Sequence, residues 1–213
     1  MHPVVISDVG SCHMQKLSYA KECIDVAYNC GVDVIKFQLF QGFDFTRTGN
    51  IELPREWWPE LLEYAGTRIK LTSSAFDWAA VALLNESPVP FIKFAYSQRD
   101  KLHWMEGCKK PVMVSCDVMS KKSIPEGYLT LYCIPEYPVR YQVDFEGIFT
   151  RLHFDGFSSH CLGIEQDKRA VDYGARYIEK HMTLDHKDIT CPDSAFALPP
   201  KELDRFVTAV KHR

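Results

Sequence analysis

VDVIKFQLF, residues 32–40, decides how this chain is read. Its β-branched and aromatic residues suit a buried strand, yet Lys36 and Gln38 stand inside it two positions apart. Successive side chains of a strand point to opposite faces. Lys36 and Gln38 therefore share one face, while Ile35, Phe37 and Leu39 share the other. An isolated buried ammonium is too costly to keep charged, so the polar face must open onto an anion, a ligand or water. The competing reading is a structural ion pair between Lys36 and an acidic neighbour such as Asp8.

Outward from this strand, similar runs recur at residues 3–9, 68–74, 89–96, 111–116, 128–134, 154–159 and 176–182. Helical patterns fall between them. Residues 15–31 carry Leu17, Ala20, Ile24, Ala27 and Tyr28 at helical spacing before Gly31. Residues 54–66 open on Pro54 and stop at Gly66, with Pro59 a point of kinking or restart. Residues 77–84, 99–107, 143–152, 165–174 and 199–213 complete the helical set, and only a short turn fits after 111–116. Strand and helix in strict alternation, eight times over, predict an α/β chain folded as a compact (β/α)8 TIM barrel, one domain over residues 1–213. That length is near the lower end of the roughly 200 to 400 residues this fold occupies.

Composition narrows the setting. With 46% hydrophobic and 25% charged residues, the chain can bury a core and is not disordered. A net charge of −3 with scattered basic residues argues against nucleic acid as a partner. The N-terminus lacks the basic and apolar regions of a signal peptide, and no uncharged run approaches about eighteen residues, so a cytoplasmic protein with no membrane partner is expected. The cysteines at 12, 23, 30, 108, 116, 133, 161 and 191 are dispersed and form no C-x-x-C pair; free thiols are expected.

Barrel enzymes carry their chemistry at the C-terminal ends of the strands. Polar residues gather there: Asp8, Lys36 and Gln38, Ser73 and Ser74, Lys93 and Gln98, Ser115, Tyr137, Ser158 and His160, then Glu179, Lys180 and His181. Strand ends are generally polar, which accounts for any one serine. Recurrence on every strand calls for a site.

These residues also carry a resemblance. SDVGSCHMQKLSYAKECIDVAYNCGVDVIKFQLF resembles the opening of the N-acetylneuraminate (sialic acid) synthase family, which leads through an asparagine-histidine pair and a helix to Lys-Phe-Gln. GFSSHCLGIEQDKRAVDYGARYIEKHMTLDH and CPDSAFALPPKEL are similar to that family's Ser-Asp-His, Glu-Lys-His and Gly-Pro-Asp motifs, in the same order. The resemblance implies a (β/α)8 barrel that condenses phosphoenolpyruvate with the open-chain aldehyde of an N-acylated amino sugar, using a divalent metal ion, manganese or magnesium. By motif, it makes His160 and His181 the metal ligands. Asp8, His160, His181 and Asp193 would form the catalytic set, and Lys36, Gln38, Ser74, Lys93, Gln98, Ser115, Tyr137 and Ser158 would hold the substrates. Glu179, on the face of His181, would orient that imidazole.

Some positions depart from the family pattern. Asp8 stands for glutamate, Cys12 for asparagine, Gln98 for glutamate, Pro135 for a polar residue and Tyr96 for a small hydroxyl residue. The chain ends after its last barrel helix, where typical members add a C-terminal antifreeze-like domain that covers the partner subunit's site. A homodimer or a separate partner chain is left open. Two alternatives stand beside the synthase: a weakly active barrel that binds a sugar or phosphate and assists another polypeptide, and a metal-dependent aldolase or isomerase.

Overall fold

The computed structural model describes residues 2–41, 49–185, 187 and 191–212. Eight parallel strands close into a barrel in sequence order: β1 (Val4–Asp8), β2 (Val34–Leu39), β3 (Lys70–Ala75), β4 (Ile92–Phe94), β5 (Val112–Cys116), β6 (Leu129–Cys133), β7 (Gly156–Ser159) and β8 (Tyr177–His181). β8 pairs back to β1, with Asp8 opposite His181. Each strand lies inside, or within one residue of, a run expected from the sequence.

The two faces of β2 separate as its pattern demands. Ile35, Phe37 and Leu39 are fully buried in the cluster between the sheet and the surrounding helices. Val34 points into the barrel, where it packs with Ile6, Phe91, Met113 and Leu131. This apolar plug fills the lower interior, each side chain contributing about 1.5–3 kcal/mol of burial, and leaves only the upper interior for polar groups. Gly156 opens β7 because nothing larger fits: a Cβ there would lie 2.2 Å from the Tyr177 carbonyl oxygen.

Helices Leu17–Asn29, Trp58–Ala65, Trp78–Asn85, Leu102–Glu106, Val118–Lys121 and Glu165–Asp172, with a π-helical turn at Gly147–Arg151, connect the strands, and helix Pro200–Lys211 follows β8. Local chemistry sets their starts. Asp77 accepts the Ala80 N–H at 2.8 Å, and Asp117 and Ser120 form a reciprocal capping box, which gives the short helix after β5 a defined start. Pro59 restarts rather than kinks: a 3-10 turn Arg55–Trp57 passes into the helix with the proline in its first turn. Trp58 is buried, donates Nε1–H to Ser87 Oγ at 2.9 Å and meets Phe37 edge-on, so it belongs to the core.

Two expectations are corrected. On helix Leu17–Asn29 the buried stripe is Ala20, Cys23, Ile24 and Ala27, whereas Tyr28 is exposed. Cys12 and Cys191 form a disulfide, so the cysteines are not all free; the other six are. Sequence spacing hid the pair because its members lie 179 residues apart and meet only where closing the barrel brings the loops after β1 and β8 together. Among the described residues no helix is long and apolar enough to cross a membrane.

Candidate active site

The polar residues of the upper interior and the loops above them line a cavity of about 490 Å3, within the roughly 300–1,000 Å3 range of small-molecule sites. Strand register stacks the groups. Asp8 is level with Lys36 and His181, Ser74 with Lys93, and Ser158 with Glu179.

At its floor lies a buried network of four ionisable groups. Lys36 Nζ is 2.6 Å from Asp8 Oδ2, donates to Ser74 Oγ at 3.2 Å and lies 3.9 Å from Glu179 Oε2. Burial alone would lower the Lys36 pKa, but Asp8 and Glu179 outweigh it and hold the ammonium above the ordinary lysine value. Asp8 answers in kind. Burial works to raise its pKa, yet Lys36 and His181 bring it down to about 2, with the Gly10 N–H donating at 3.0 Å. Gln38 Nε2 also donates to Asp8, at 3.1 Å.

Lys93 is treated differently. It donates to Ser115 Oγ at 2.6 Å and to the Phe94 carbonyl at 3.1 Å, and its nearest carboxylate oxygen, on Glu179, is 3.7 Å away. Burial, with Lys36 nearby, lowers its pKa despite Glu179. Lys93 is thus the ammonium short of counter-charge. Glu179 Oε1 accepts from Ser158 Oγ at 2.8 Å, while Oε2 is buried without a hydrogen-bond partner.

At the mouth, the rings of His160 and His181 lie 5.5 Å apart. His160 Nδ1 meets the Ile134 carbonyl at 3.0 Å; a carbonyl only accepts, so Nδ1 carries the proton and Nε2 keeps a free lone pair. Burial, reinforced by His181, pushes the His160 pKa down to about 3 and keeps the ring neutral. His181 Nε2 lies 3.3 Å from Asp8 Oδ2, and its Nδ1, 3.7 Å from Asp193 Oδ2, has no hydrogen-bond partner. Asp193 Oδ2 accepts the Ser11 N–H at 2.9 Å. Gly10 makes this possible: its φ is +53°, and a Cβ there would sit 2.1 Å from that carboxylate oxygen.

The NeuB family model matches residues 45–213, most of the chain. The chain belongs to the NeuB family. It is 28% identical to the human N-acetylneuraminate-9-phosphate synthase, over 99% of this chain and 70% of that protein. It is 27% identical to the N,N'-diacetyllegionaminic acid synthase of Campylobacter jejuni, over 98% of this chain and 75% of that one. The N-acetylneuraminic acid synthetase of Leptospira borgpetersenii, solved with citrate, superposes at a TM-score of 0.86 and 25% identity, covering 100% of this chain and 84% of that one.

Of the residues singled out from the sequence, Asp8, Lys36, Gln38, Lys93, Ser115, Tyr137, Ser158, His160, His181 and Asp193 all line this one NeuB-family cavity. Ser74 stands behind Lys36 instead of facing the cavity. Gln98 is a correction: the 3-10 turn Tyr96–Gln98 after β4 presents Tyr96 and Ser97 to the cavity and buries Gln98 beside Ser97. Glu179 is another. It turns to the two lysines and Ser158, and the carboxylates beside His181 are Asp8 and Asp193. Phe196, whose ring is 5.0 Å from His181 and 5.8 Å from His160, was not singled out from the sequence; an apolar residue in an irregular loop carries no chemical signal.

Proposed function

We propose that this chain condenses phosphoenolpyruvate with the open-chain aldehyde of an N-acylated amino sugar, forming a nonulosonic acid and releasing phosphate. The observation that carries this reading is the convergence of two buried ammoniums and two imidazoles on one cavity in a NeuB-family barrel.

Lys93, short of counter-charge, holds an anionic group of phosphoenolpyruvate, with hydroxyls from Ser115 and Ser158 beside it. Lys36 adds field from below, but most of its charge is committed to Asp8 and Glu179. A bound anion would raise the Lys93 pKa and fix its proton at Nζ. The enol C3 attacks the aldehyde carbon, water adds to the oxocarbenium centre left at C2, and phosphate departs. Glu179 Oε2, an acceptor without a hydrogen-bond partner, receives a hydrogen bond from that water or from a substrate hydroxyl. Tyr137 and Phe196 wall the mouth and limit access of bulk water.

The donors fit a divalent cation. His160 is neutral with Nε2 free, and His181 has an orphaned buried nitrogen. The lining also sets Lys36 and Lys93 against Asp8, Glu179 and Asp193, an excess of negative charge that an incoming phosphoenolpyruvate would deepen. His160 and His181 would hold the ion, which, when bound, polarises the aldehyde as a Lewis acid. Manganese or magnesium suits such a site of mixed nitrogen and oxygen donors.

The test is phosphate release from phosphoenolpyruvate with a panel of N-acyl hexosamines, with added manganese or magnesium or with chelator, beside His181→Ala. Release that requires sugar, cation and His181 supports the synthase. Cation binding without turnover would point to a sugar- or phosphate-binding barrel, and pyruvate-forming cleavage of a keto acid to an aldolase.

A further inference from the structure

The Cys12–Cys191 disulfide is not used by the chemistry above, but it is joined to it. Cys12 follows Gly10 and Ser11, the residues that accommodate the Asp193 carboxylate, and Cys191 stands two positions before Asp193. The loop after β8 is closed at its base by the Met182 and Leu198 bridge and by the Thr183 N–H on the Leu198 carbonyl, 3.0 Å. The disulfide ties the same loop to the turn after β1. Asp193 thus sits where two loops meet: the Phe196 and Ala197 N–H groups donate to its carbonyl at 3.2 and 3.0 Å within its own loop, while the disulfide and the Ser11 N–H tie it to the turn after β1.

The bond borders a space separate from the catalytic cavity. Cys12 and Cys191 are only 3% and 2% exposed, but both line a second cavity of about 440 Å3 with Tyr19, Glu22 and Asp185, and that cavity shares no lining residue with the first. The remaining thiols are poor competitors for oxidation. Burial pushes Cys108, Cys116 and Cys161 up to about 11 and Cys133 up to about 12, so they are almost wholly protonated at neutral pH.

We propose that the Cys12–Cys191 disulfide is a redox-controlled positioning element for Asp193: oxidised, it fixes that carboxylate between Ser11 and His181; reduced, it releases the loop and loosens the His181 side of the site, where the proposed reaction places the acceptor aldehyde. The co-reactant is a dithiol. One of its thiolates attacks a cystine sulfur and the other cystine sulfur leaves as thiolate. The second dithiol thiolate then closes on the mixed disulfide. Two electrons pass to the cystine, two protons end on Cys12 and Cys191, and the dithiol becomes a disulfide.

The catalytic consequence rests on the synthase reading; the positional one does not, and the experiment separates them. Thiol titration of the denatured chain should find six free thiols before dithiothreitol and eight after it, since the sequence holds eight cysteines and six are free in the structure. Finding eight without reductant overturns the proposal. Hydrogen exchange is then followed at the Ser11 amide. It should be protected in oxidised protein and should speed up alike on reduction, in Cys191→Ser and in oxidised Asp193→Ala. Protection unchanged by reduction overturns the proposal whether or not the protein turns over substrate. In the phosphate-release assay, reduction should raise the acceptor KM by about tenfold or more, in line with the cost of small misplacements, leave the phosphoenolpyruvate KM in place, and add nothing to Asp193→Ala. An equal effect of reduction in the presence and absence of the Asp193 carboxylate would assign the bond to general stability only. Should Cys191→Ser fail to fold, the reduced wild-type chain supplies the same comparison. A chain that turns over nothing in either state, yet shows the exchange pattern, removes the synthase reading and leaves the positioning device.

Discussion

Replacing Lys36 with methionine tests the floor of the site, because methionine keeps an unbranched apolar chain, one atom shorter, and removes the ammonium with its hydrogen bonds to Asp8 and Ser74. The ammonium lies 2.6 Å from Asp8 Oδ2 and 3.9 Å from Glu179 Oε2, and all three side chains are at most 5% exposed. At an effective dielectric of about 20 these contacts correspond to attractions of about 6 and 4 kcal/mol. Most of that offsets the several kcal/mol needed to desolvate each ion. Deleting one partner leaves the desolvation of the other unbalanced, so Lys36→Met should lose about 3–5 kcal/mol of stability. The double variant Lys36→Met with Asp8→Asn removes the stranded carboxylate as well and should recover much of the loss, without recovering turnover. Urea unfolding at pH 7, followed in parallel by far-ultraviolet circular dichroism and tryptophan fluorescence, reads the difference and checks that the transitions coincide. The pH dependence adds a second check. Asp8 is held at about 2 against an ordinary 3.8, so its stabilisation, about 2 kcal/mol, is complete above pH 3.8 and is lost as pH falls towards 2. Lys36→Met should abolish that acid-side loss. A single variant within about 1 kcal/mol of wild type, a value expected of an exposed ion pair, would refute a buried network at the barrel floor.

Other perturbations have equally definite outcomes. Gly10→Ala combines a positive φ with a Cβ 2.1 Å from Asp193 Oδ2, so it should cost about 1–3 kcal/mol and displace the carboxylate, seen as loss of protection at the Ser11 amide. Burial holds His13 neutral, lowering its pKa from 6.5 to about 4. The unfolded chain therefore binds the extra proton across that window, and stability falls as pH drops from 6.5 towards 4, by about 3 kcal/mol. The wild-type minus His13→Gln difference in denaturant midpoints should show this slope, and parallel curves would contradict it. Lys93→Met should raise the phosphoenolpyruvate KM far more than the acceptor KM, and a selective effect on the acceptor would contradict anion binding there. Reducing Cys12–Cys191, whose partners lie 179 residues apart, should lower stability by up to about 5 kcal/mol in urea titrations with and without dithiothreitol.

β2 was legible because a barrel strand obeys period-two geometry: Ile35, Phe37 and Leu39 meet the helices, while Lys36 and Gln38 meet the cavity. The same rule located Asp8, Lys93, Ser115, Ser158 and His181, which stand on strands or at their ends. Partner choice was not legible. Lys36 satisfies both readings of its sequence, pairing with Asp8 and lining the cavity, since alternation fixes direction but not distance. Glu179 likewise shares a face with His181 yet reaches the lysines, because neighbouring strands bring Lys36 and Lys93 to its carboxylate. Beyond the strands the rule lapses. Gln98 lies in a 3-10 turn that rotates it out of the cavity, and Cys12 and Cys191 belong to loops whose meeting depends on closing the whole barrel.

The most direct measurement of the central claim is a crystal structure with manganese and phosphoenolpyruvate, recorded for the anomalous signal of the metal. The account predicts a manganese peak shared by His160 and His181, with an anionic group of phosphoenolpyruvate on Lys93 in the same cavity. Manganese held elsewhere, or phosphoenolpyruvate bound away from Lys93, would contradict it.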